Sequence, residues 1–249
     1  MSGPHTRARA AGTLCLLAGI ALLVVLSQSG GAPGRDRAGE GRAPKPPCPR
    51  AKAPVSEPGS YDAPPDPSLL EPGVDYAAVI ATTCGDIEID LLEDERPQAV
   101  ANFIFLAREG FFDGLRFPRV ERNFLIQTGD PNNELLDPPD GPGYSLVQEP
   151  PDDAADYVYG VVAWASTGTA DTYGSQFFII VHLLEGRQTP TVEPAGLKKH
   201  YTIFGRVAES SYNVIDAISA IDTVPGPDPL ASVEPVIDVY IESVEIIER

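Results

Sequence analysis

Short apolar runs separated by turn residues fill the chain from Tyr76 to its end. The first two runs, Ala77–Thr83 and Asp86–Leu92, are rich in Val, Ile and Thr and are joined at Cys84-Gly85, so they predict a β-hairpin. Later runs of the same character predict strands at Leu115–Val120, Asn123–Gly129, Tyr157–Ala165, Gln176–Val181, Tyr201–Val207 and Val236–Ile247.

Two segments show helical periodicity instead. Pro97 suits a first helical position and Gly110 a helix end, and the apolar residues between them recur on one face. Ser211–Ile221 repeats this pattern. Eight strands and two helices predict a mainly β domain over residues 76–249, an eight-stranded antiparallel closed barrel whose ends the helices cap.

Residues 1–30 form an apolar leader. Seventeen uncharged residues, 10–26, follow Arg7 and Arg9 and precede small and polar residues. This order is typical of a signal peptide, and the run is also close to the shortest helix that spans a bilayer. Cleavage would release a secreted body, whereas an uncleaved leader would anchor it to a membrane through residues 10–30. The arginines favour an exported, extracytoplasmic body in both cases.

Residues 31–75 separate the leader from the body. They contain eleven prolines, six glycines and one aromatic residue, Tyr61, so too little apolar area is present to offset the entropy of ordering. We therefore expect a disordered, partly polyproline linker. Cys48 lies in this segment and Cys84 at the start of the body. The two either pair in an oxidising compartment or remain free thiols.

The net charge of −18 is unevenly distributed. Residues 1–54 carry eight basic and two acidic residues, whereas the rest of the chain carries ten basic and 34 acidic residues. Such an acidic body repels phosphates, which argues against nucleic acid as a partner. The sequence shows no GxGxxG, P-loop or HExxH motif and no Cys/His ligand spacing, so we expect neither a cofactor nor a metal.

Polar and aromatic side chains occur together on three of the predicted strands. Arg119 and Gln127 lie in FPRVERNFLIQTGD, and Gln176 and Phe178 lie in GSQFFII. Residues two apart on a strand share a face, so Gln176 points the same way as Phe178. An arginine and two glutamines beside phenylalanines would form an apolar pocket with an amide-binding rim. A phenylalanine-rich strand is also typical of an ordinary core, and the residues alone leave both interpretations open.

These segments resemble a known family. FPRVERNFLIQTGD is similar to the FHRVIPxFMIQGGD signature of the cyclophilin peptidyl-prolyl isomerases, and GVVAWASTGTADTYGSQFFII to their GxxxMAxxxxxxxxGSQFFI segment. PQAVANFIFLAREGFFDGLRF resembles the helix before the first motif, and HYTIFGRV resembles a late strand. The matches run in the family's order over roughly residues 77–249.

The resemblance implies an eight-stranded barrel with two helices and an active site on its outer face. It also implies a monomeric enzyme that needs no cofactor and isomerises Xaa-Pro bonds in polypeptides. Carried over by position, Arg119 and Gln127 are the catalytic residues, with the glutamine orienting the arginine. The residues expected to bind substrate are Phe124, Leu125, Ala165, Ser166, Gln176, Phe178, Leu197 and Tyr201.

Some positions depart from the family pattern. Pro118 replaces the usual histidine before the arginine, Ser166 replaces an asparagine, and Tyr201 replaces a histidine at the pocket rim. Gly196 stands where a tryptophan or another large residue is common, which removes apolar area and an indole donor. We therefore expect weak cyclosporin binding.

Overall fold

The computed structural model describes residues 48–132, 141–152, 156–166, 172–181, 201–225 and 233–249. Within these ranges the regular elements are twelve strands and two α-helices. The helices are α1 (Pro97–Arg108) and α2 (Tyr212–Ser219). The strands are β1 (Tyr76–Thr82), β2 (Gly85–Leu91), β3 (Arg119–Glu121), β4 (Leu125–Thr128), β5 (Leu146–Val147), β6 (Val161–Trp164), β7 (Thr172–Tyr173), β8 (Phe177–Ile180), β9 (Ile203–Val207), β10 (Thr223–Pro225), β11 (Val233–Pro235) and β12 (Ile241–Glu248).

In the described part of the chain, eight of these strands form one antiparallel sheet in the order β12-β1-β2-β9-β6-β8-β4-β3. The predicted β1–β2 hairpin is confirmed, with Ile80 opposite Ile87. All eight predicted strand regions contribute to this sheet, although most of the strands are shorter than the apolar runs. The pairs β5–β7 and β10–β11 are short additions that periodicity did not reveal, because two or three residues are too few to show alternation.

The sheet is strongly curled, and a short segment joins its two ends. Phe117 N donates to Val239 O (2.9 Å), Gly114 N donates to Ile241 O (2.8 Å), and Ile241 N donates to Leu115 O (2.8 Å). These bonds connect the residues that precede β3 with the start of β12. Among the described residues no β3–β12 ladder forms, so the predicted closed barrel is a half-barrel whose ends meet through one isolated antiparallel bridge, between Arg116 and Tyr240.

The main core lies inside the curl and beneath both helices. Phe103 of α1 packs against Phe177 of β8 with ring centroids 5.7 Å apart, and Trp164 stacks on Phe204 at 4.5 Å. Trp164 is fully buried, as expected of a packing residue. On α2, Ile215 and Ile218 enter the same core. The helices therefore cover the curled sheet with the apolar faces that their periodicity predicted.

Residues 48–75 differ from the predicted linker, and we call this segment the strap. Cys48 is buried and forms a disulfide with Cys84, with the two Cα atoms 4.8 Å apart. Tyr61 packs edge-on against Phe105 of α1 at 4.8 Å. At the end of the strap, Asp75 and Arg249 exchange backbone hydrogen bonds of 3.2 and 2.8 Å. A few anchoring residues thus hold a proline-rich stretch whose average composition predicted disorder; residues 31–47 lie outside the described ranges.

None of the helices within the described ranges is both long and apolar enough to cross a membrane. The predicted leader, residues 10–26, falls outside those ranges.

Candidate active site

The strand register places the predicted catalytic residues in one row across the sheet. Arg119 on β3 pairs with Gln127 on β4, and Gln127 pairs with Phe178 on β8. Phe178 in turn pairs with Ala163 on β6. Directly opposed residues share a face of the sheet, so all four side chains leave the same surface.

A chain of hydrogen bonds links the polar members of the site. Arg119 Nη1 donates to Gln127 Oε1 (3.1 Å), and Gln127 Nε2 donates to Gln176 Oε1 (2.9 Å). Both glutamines are buried, whereas the Arg119 side chain is 20% exposed. The guanidinium is therefore the member of this chain most accessible to solvent, and both glutamine amides have fixed orientations behind it.

Apolar residues surround this chain on the same face. Successive residues of a strand point to opposite faces, so Leu125 and Phe178 leave the sheet on the side away from Ile126 and Phe177, which belong to the main core. A second buried cluster forms there. It contains Leu125, Tyr157, Val161, Ala163, Ala165, Phe178, Ile180 and Ile203, with the partly buried Leu92, Phe124, Val158 and Tyr201 packed against it.

The structure brings most of the expected substrate-binding residues together in this outer cluster. Phe124, Leu125, Ala165, Phe178 and Tyr201 all belong to it. Gln176 reaches it through its bond to Gln127, and Ser166 follows Ala165 in a half-buried position. Leu197 lies outside the described residues, as does Gly196. Pocket lining and substrate contact remain predicted roles for these residues.

Tyr157 holds Tyr201, a predicted rim residue, in place. Its hydroxyl donates to Tyr201 O (2.6 Å) and accepts from Tyr201 N (3.0 Å). The Tyr201 ring then meets Phe178 edge-on, with ring centroids 5.2 Å apart. Burial raises the pKa of Tyr157 to about 12. Sequence reasoning missed Tyr157 because a single tyrosine in a strand-like run carries no positional signal.

The turn before β8 approaches the end of β4 closely. Ser175 Oγ donates to Gly129 O (2.8 Å), and a Cβ atom at Gly129 would lie 2.2 Å from Ser175 O. Gly129 also has a φ of +88°, in the left-handed region that favours glycine. This close approach holds Gln176 beside Gln127.

Asn102 supports the same turn from α1. It is fully buried, and its Nδ2 donates to Gly174 O (3.0 Å). Tyr144 Oη donates to Asn102 Oδ1 (2.7 Å), and burial raises the pKa of Tyr144 above its ordinary value. An asparagine within an amphipathic helix pattern was the available signal for this contact, because a buried amide needs partners.

Glu121 is a further residue that the sequence predictions missed, and it touches the predicted catalytic arginine. Its Oε1 accepts hydrogen bonds from Arg119 Nε (2.7 Å) and from Arg119 Nη2. The side chains are 20% and 25% exposed. The signal was present in the sequence, because Glu121 stands where the FHRVIPxFMIQGGD signature has isoleucine.

Within the described residues, no group of three or more His, Cys, Asp or Glu side chains is arranged to hold a metal ion. The polar chain Arg119–Gln127–Gln176 can donate and accept hydrogen bonds, and the outer cluster offers apolar contact. The described arrangement thus suits binding and polarising an amide more than forming a covalent bond to it.

Comparisons with known proteins agree with this geometry. Residues 77–246 match the family described as "Cyclophilin type peptidyl-prolyl cis-trans isomerase/CLD". Peptidyl-prolyl cis-trans isomerase B of Streptomyces anulatus is 36% identical over 188 residues, which cover 69% of this chain and 97% of the relative. A peptidyl-prolyl cis-trans isomerase of Helicobacter pylori is 32% identical over 156 residues, covering 63% of this chain and 84% of the relative.

Other curated relatives are much longer, and the chain spans only 26% to 38% of the length of four of them. Among solved structures, a Cryptosporidium parvum cyclophilin type peptidyl-prolyl cis-trans isomerase superposes with a TM-score of 0.55 at 24% identity. The match covers 70% of this chain and 99% of that protein. A second structure of that protein was determined in the presence of the dipeptide Ala-Pro.

Proposed function

This chain belongs to the cyclophilin-type peptidyl-prolyl cis-trans isomerases, and from that premise we propose that it accelerates rotation about Xaa-Pro bonds in exported polypeptides and so assists their folding. The observation that carries the proposal is the polar chain from Arg119 through Gln127 to Gln176, lying against the outer apolar cluster.

The residue types fit the reaction. Rotation of an amide passes through a twisted state that has lost its double-bond character, and the barrier is about 18–20 kcal/mol. No bond is made or broken, so neither a nucleophile nor a metal is required. The Arg119 guanidinium donates to the prolyl amide as its nitrogen becomes pyramidal or to the carbonyl oxygen, and it therefore stabilises the twisted state more than the planar one.

The surrounding residues hold the substrate while one side of the bond turns. Phe124, Leu125 and Phe178 provide apolar area for the proline ring. Gln176 Oε1 already accepts from Gln127, so Gln176 Nε2 is the group that donates to a substrate backbone carbonyl. The Ala-Pro dipeptide used with the related C. parvum structure has the proline that such a pocket takes.

Export of the protein is supported by two features. The apolar run at residues 10–26 follows Arg7 and Arg9, which favours translocation of the body and leaves it secreted or membrane-anchored. The Cys48–Cys84 disulfide suits an oxidising compartment, where such bonds persist. Mass spectrometry of protein from the host membrane and soluble fractions tests both features. An uncleaved leader and free thiols in a cytosolic fraction would contradict export.

A second candidate function keeps the binding site but not the turnover. Glu121 and Gln127 together accept from three of the five donors of the Arg119 guanidinium, which leaves fewer donors for a twisted amide and favours a proline-peptide binding module. The apolar run at residues 10–26 would tether such a module at a membrane. Such a module would bind proline peptides without accelerating their isomerisation.

Exchange NMR on a proline peptide with the full chain separates the two functions. The isomerase interpretation requires catalysis that Arg119→Ala abolishes. The matched control is Arg122→Ala, because Arg122 is an exposed arginine that donates to Ala220 O and contacts Asp222 instead of the site. If the wild type and Arg119→Ala are equally inactive and both still bind the peptide, the protein is a binding module.

A further inference from the structure

Glu121 occupies the start of the polar chain at the site. On β3 it lies two residues from Arg119, so both side chains leave the same face. Its cross-strand partner is Leu125 of the outer cluster. Glu121 thus contacts the predicted catalytic guanidinium and is paired across the strands with Leu125, a residue of the predicted proline pocket. The family signature has an isoleucine at this position, and isoleucine has no side-chain acceptor.

The hydrogen bonds of Arg119 define which of its donors remain for a substrate. Nε and one Nη2 hydrogen go to Glu121, and one Nη1 hydrogen goes to Gln127. A guanidinium has five N–H groups, so within the described residues one donor remains on each terminal nitrogen. These two hydrogens lie in the plane of the group, and that plane is fixed from two sides by Glu121 and Gln127.

Arg119 sets the direction of the hydrogen bonds in the polar chain, because a guanidinium carries donors and no acceptor. A carboxylate is an acceptor only, so Glu121 takes donors from Arg119. Arg119 in turn presents a donor to Gln127, whose oxygen must face it. The Gln127 amide nitrogen then faces Gln176 Oε1, which leaves the Gln176 amide nitrogen as the free donor. Arg119 thus sets the orientation of both glutamine amides, and Glu121 holds the Arg119 guanidinium in place.

We infer that Glu121 is a positioning residue that holds the Arg119 guanidinium in the geometry for catalysis. The inference rests on the proposed isomerase function. A flexible arginine without this carboxylate would pay the entropy of ordering its side chain in every turnover. This entropic cost would lower the isomerisation rate of the bound peptide, because the arginine acts on the twisted state. The dissociation constant would change little, because the apolar cluster supplies the affinity.

The test compares Glu121→Ala, Glu121→Ile and Glu121→Gln in the full chain. Exchange NMR gives the isomerisation rate of the bound proline peptide, and titration gives its dissociation constant. We expect Ala and Ile to lower the bound rate about tenfold with an almost unchanged dissociation constant. Glu121→Gln keeps an acceptor oxygen and should restore most of the rate. Thermal melts confirm that each variant is folded.

Glu234→Ala is the matched control. Glu234 accepts from Arg116 in a half-buried ion pair of 2.8 Å, with side chains 23% and 39% exposed, and it has no bond to the polar chain. This control should leave the rate unchanged. The inference would be overturned if the isomerisation rate of the bound peptide were unchanged or raised in Glu121→Ala and Glu121→Ile. A raised rate would show that the ion pair with Glu121 keeps Arg119 from acting on the substrate.

A spectroscopic readout keeps the inference separate from the proposed function. The Arg119 Nε–H resonance should move and exchange faster with water in Glu121→Ala, but not in Glu234→Ala. Wild type without isomerase activity would refute the proposed function. If the wild type is inactive and the Arg119 resonance is unchanged in Glu121→Ala, the positioning role is refuted as well. If the wild type is inactive and the resonance shifts, Glu121 still positions Arg119, but for peptide binding.

Discussion

Gln127 Nε2 donates to Gln176 Oε1 at 2.9 Å, and this bond joins β4 to the residue just before β8. Because Gln127 Oε1 simultaneously accepts from Arg119, neither amide can rotate without losing a buried hydrogen bond. The two glutamines therefore act as one unit whose polarity the arginine sets.

Gln127→Glu should weaken peptide binding more than its size change suggests. The new carboxylate still accepts from Arg119 but cannot donate to Gln176, so the Gln176 amide must turn its nitrogen inward. Its oxygen would then face the substrate carbonyl. We expect peptide affinity to fall about tenfold, equal to about 1.4 kcal/mol. Calorimetric titration with a proline peptide measures this loss.

Gln148→Glu is a useful comparison for that variant. Gln148 is also a buried glutamine, and its amide bridges Thr202 N and Trp164 O instead of joining the polar chain. The Gln148→Glu variant should be less stable, but its folded molecules should bind the proline peptide with little change in affinity. Equal affinity losses in both variants would mean that the direction of the Gln127 amide has no special role.

Arg119→Lys should remove most of the activity although the charge is kept. A lysine ammonium is not a planar fork and cannot reproduce the in-plane bonds to Glu121 and Gln127. We expect kcat/KM for a proline peptide to fall at least about tenfold. A lysine variant close to wild type would show that the charge alone suffices.

The strands followed from the local pattern of the sequence, and the grouping of the site residues followed from the resemblance of two motifs to the family. Gln127 and Phe178 lie on short, strongly patterned strands, and the order of the two quoted motifs matched the family. The register that puts Arg119 beside Gln127 also follows from the short turn, in which Phe124 N bonds Glu121 O. Periodicity therefore specified that Gln176 shares a face with Phe178, whereas the resemblance to the family placed Arg119 and Gln127 in one site.

The strap and the supports behind the site could not be predicted in this way. Cys48 meets Cys84 across 36 positions of sequence, and Asn102 reaches Gly174 across 72. Such contacts depend on the final chain path, and composition around Cys48 indicated disorder. Glu121 was visible as an unusual residue in the motif, but its bond to Arg119 requires the side-chain geometry.

Loss of the Cys48–Cys84 disulfide should destabilise the body. The bond closes a segment of 36 positions, and Cys48 is fully buried. Its removal raises the conformational entropy of the denatured chain and releases one end of the strap in the folded protein. We expect Cys84→Ser to lower the free energy of unfolding by about 3 kcal/mol. Chemical denaturation measures this change. Cys48→Ser and the double variant should give the same loss, whereas additive losses would contradict a shared bond.

Gly129→Ala should reduce both stability and activity. The new Cβ would lie 2.2 Å from Ser175 O, so the turn that carries Gln176 must move. Gly73→Ala is the matched control, because Gly73 also has a positive φ, +78°, but a Cβ atom added there would meet no described atom within 4 Å. In the control, the free energy of unfolding should fall by only the cost of placing alanine in the left-handed region, about 1–2 kcal/mol. Equal effects on peptide turnover would exclude a specific role for the Gly129–Ser175 contact.

Stability should fall at strongly alkaline pH, and Tyr157 should account for part of the slope. Burial raises its pKa in the folded protein to about 12, above the ordinary value of 10.0. The unfolded chain therefore loses this proton first, and the stabilisation is complete below pH 10 and lost as pH rises towards 12. Denaturation at several pH values should show a shallower decline for Tyr157→Phe, which starts from a lower stability because the bonds to Tyr201 are gone. An unchanged slope in Tyr157→Phe would assign the alkaline transition to other buried tyrosines, such as Tyr173, whose pKa burial also raises.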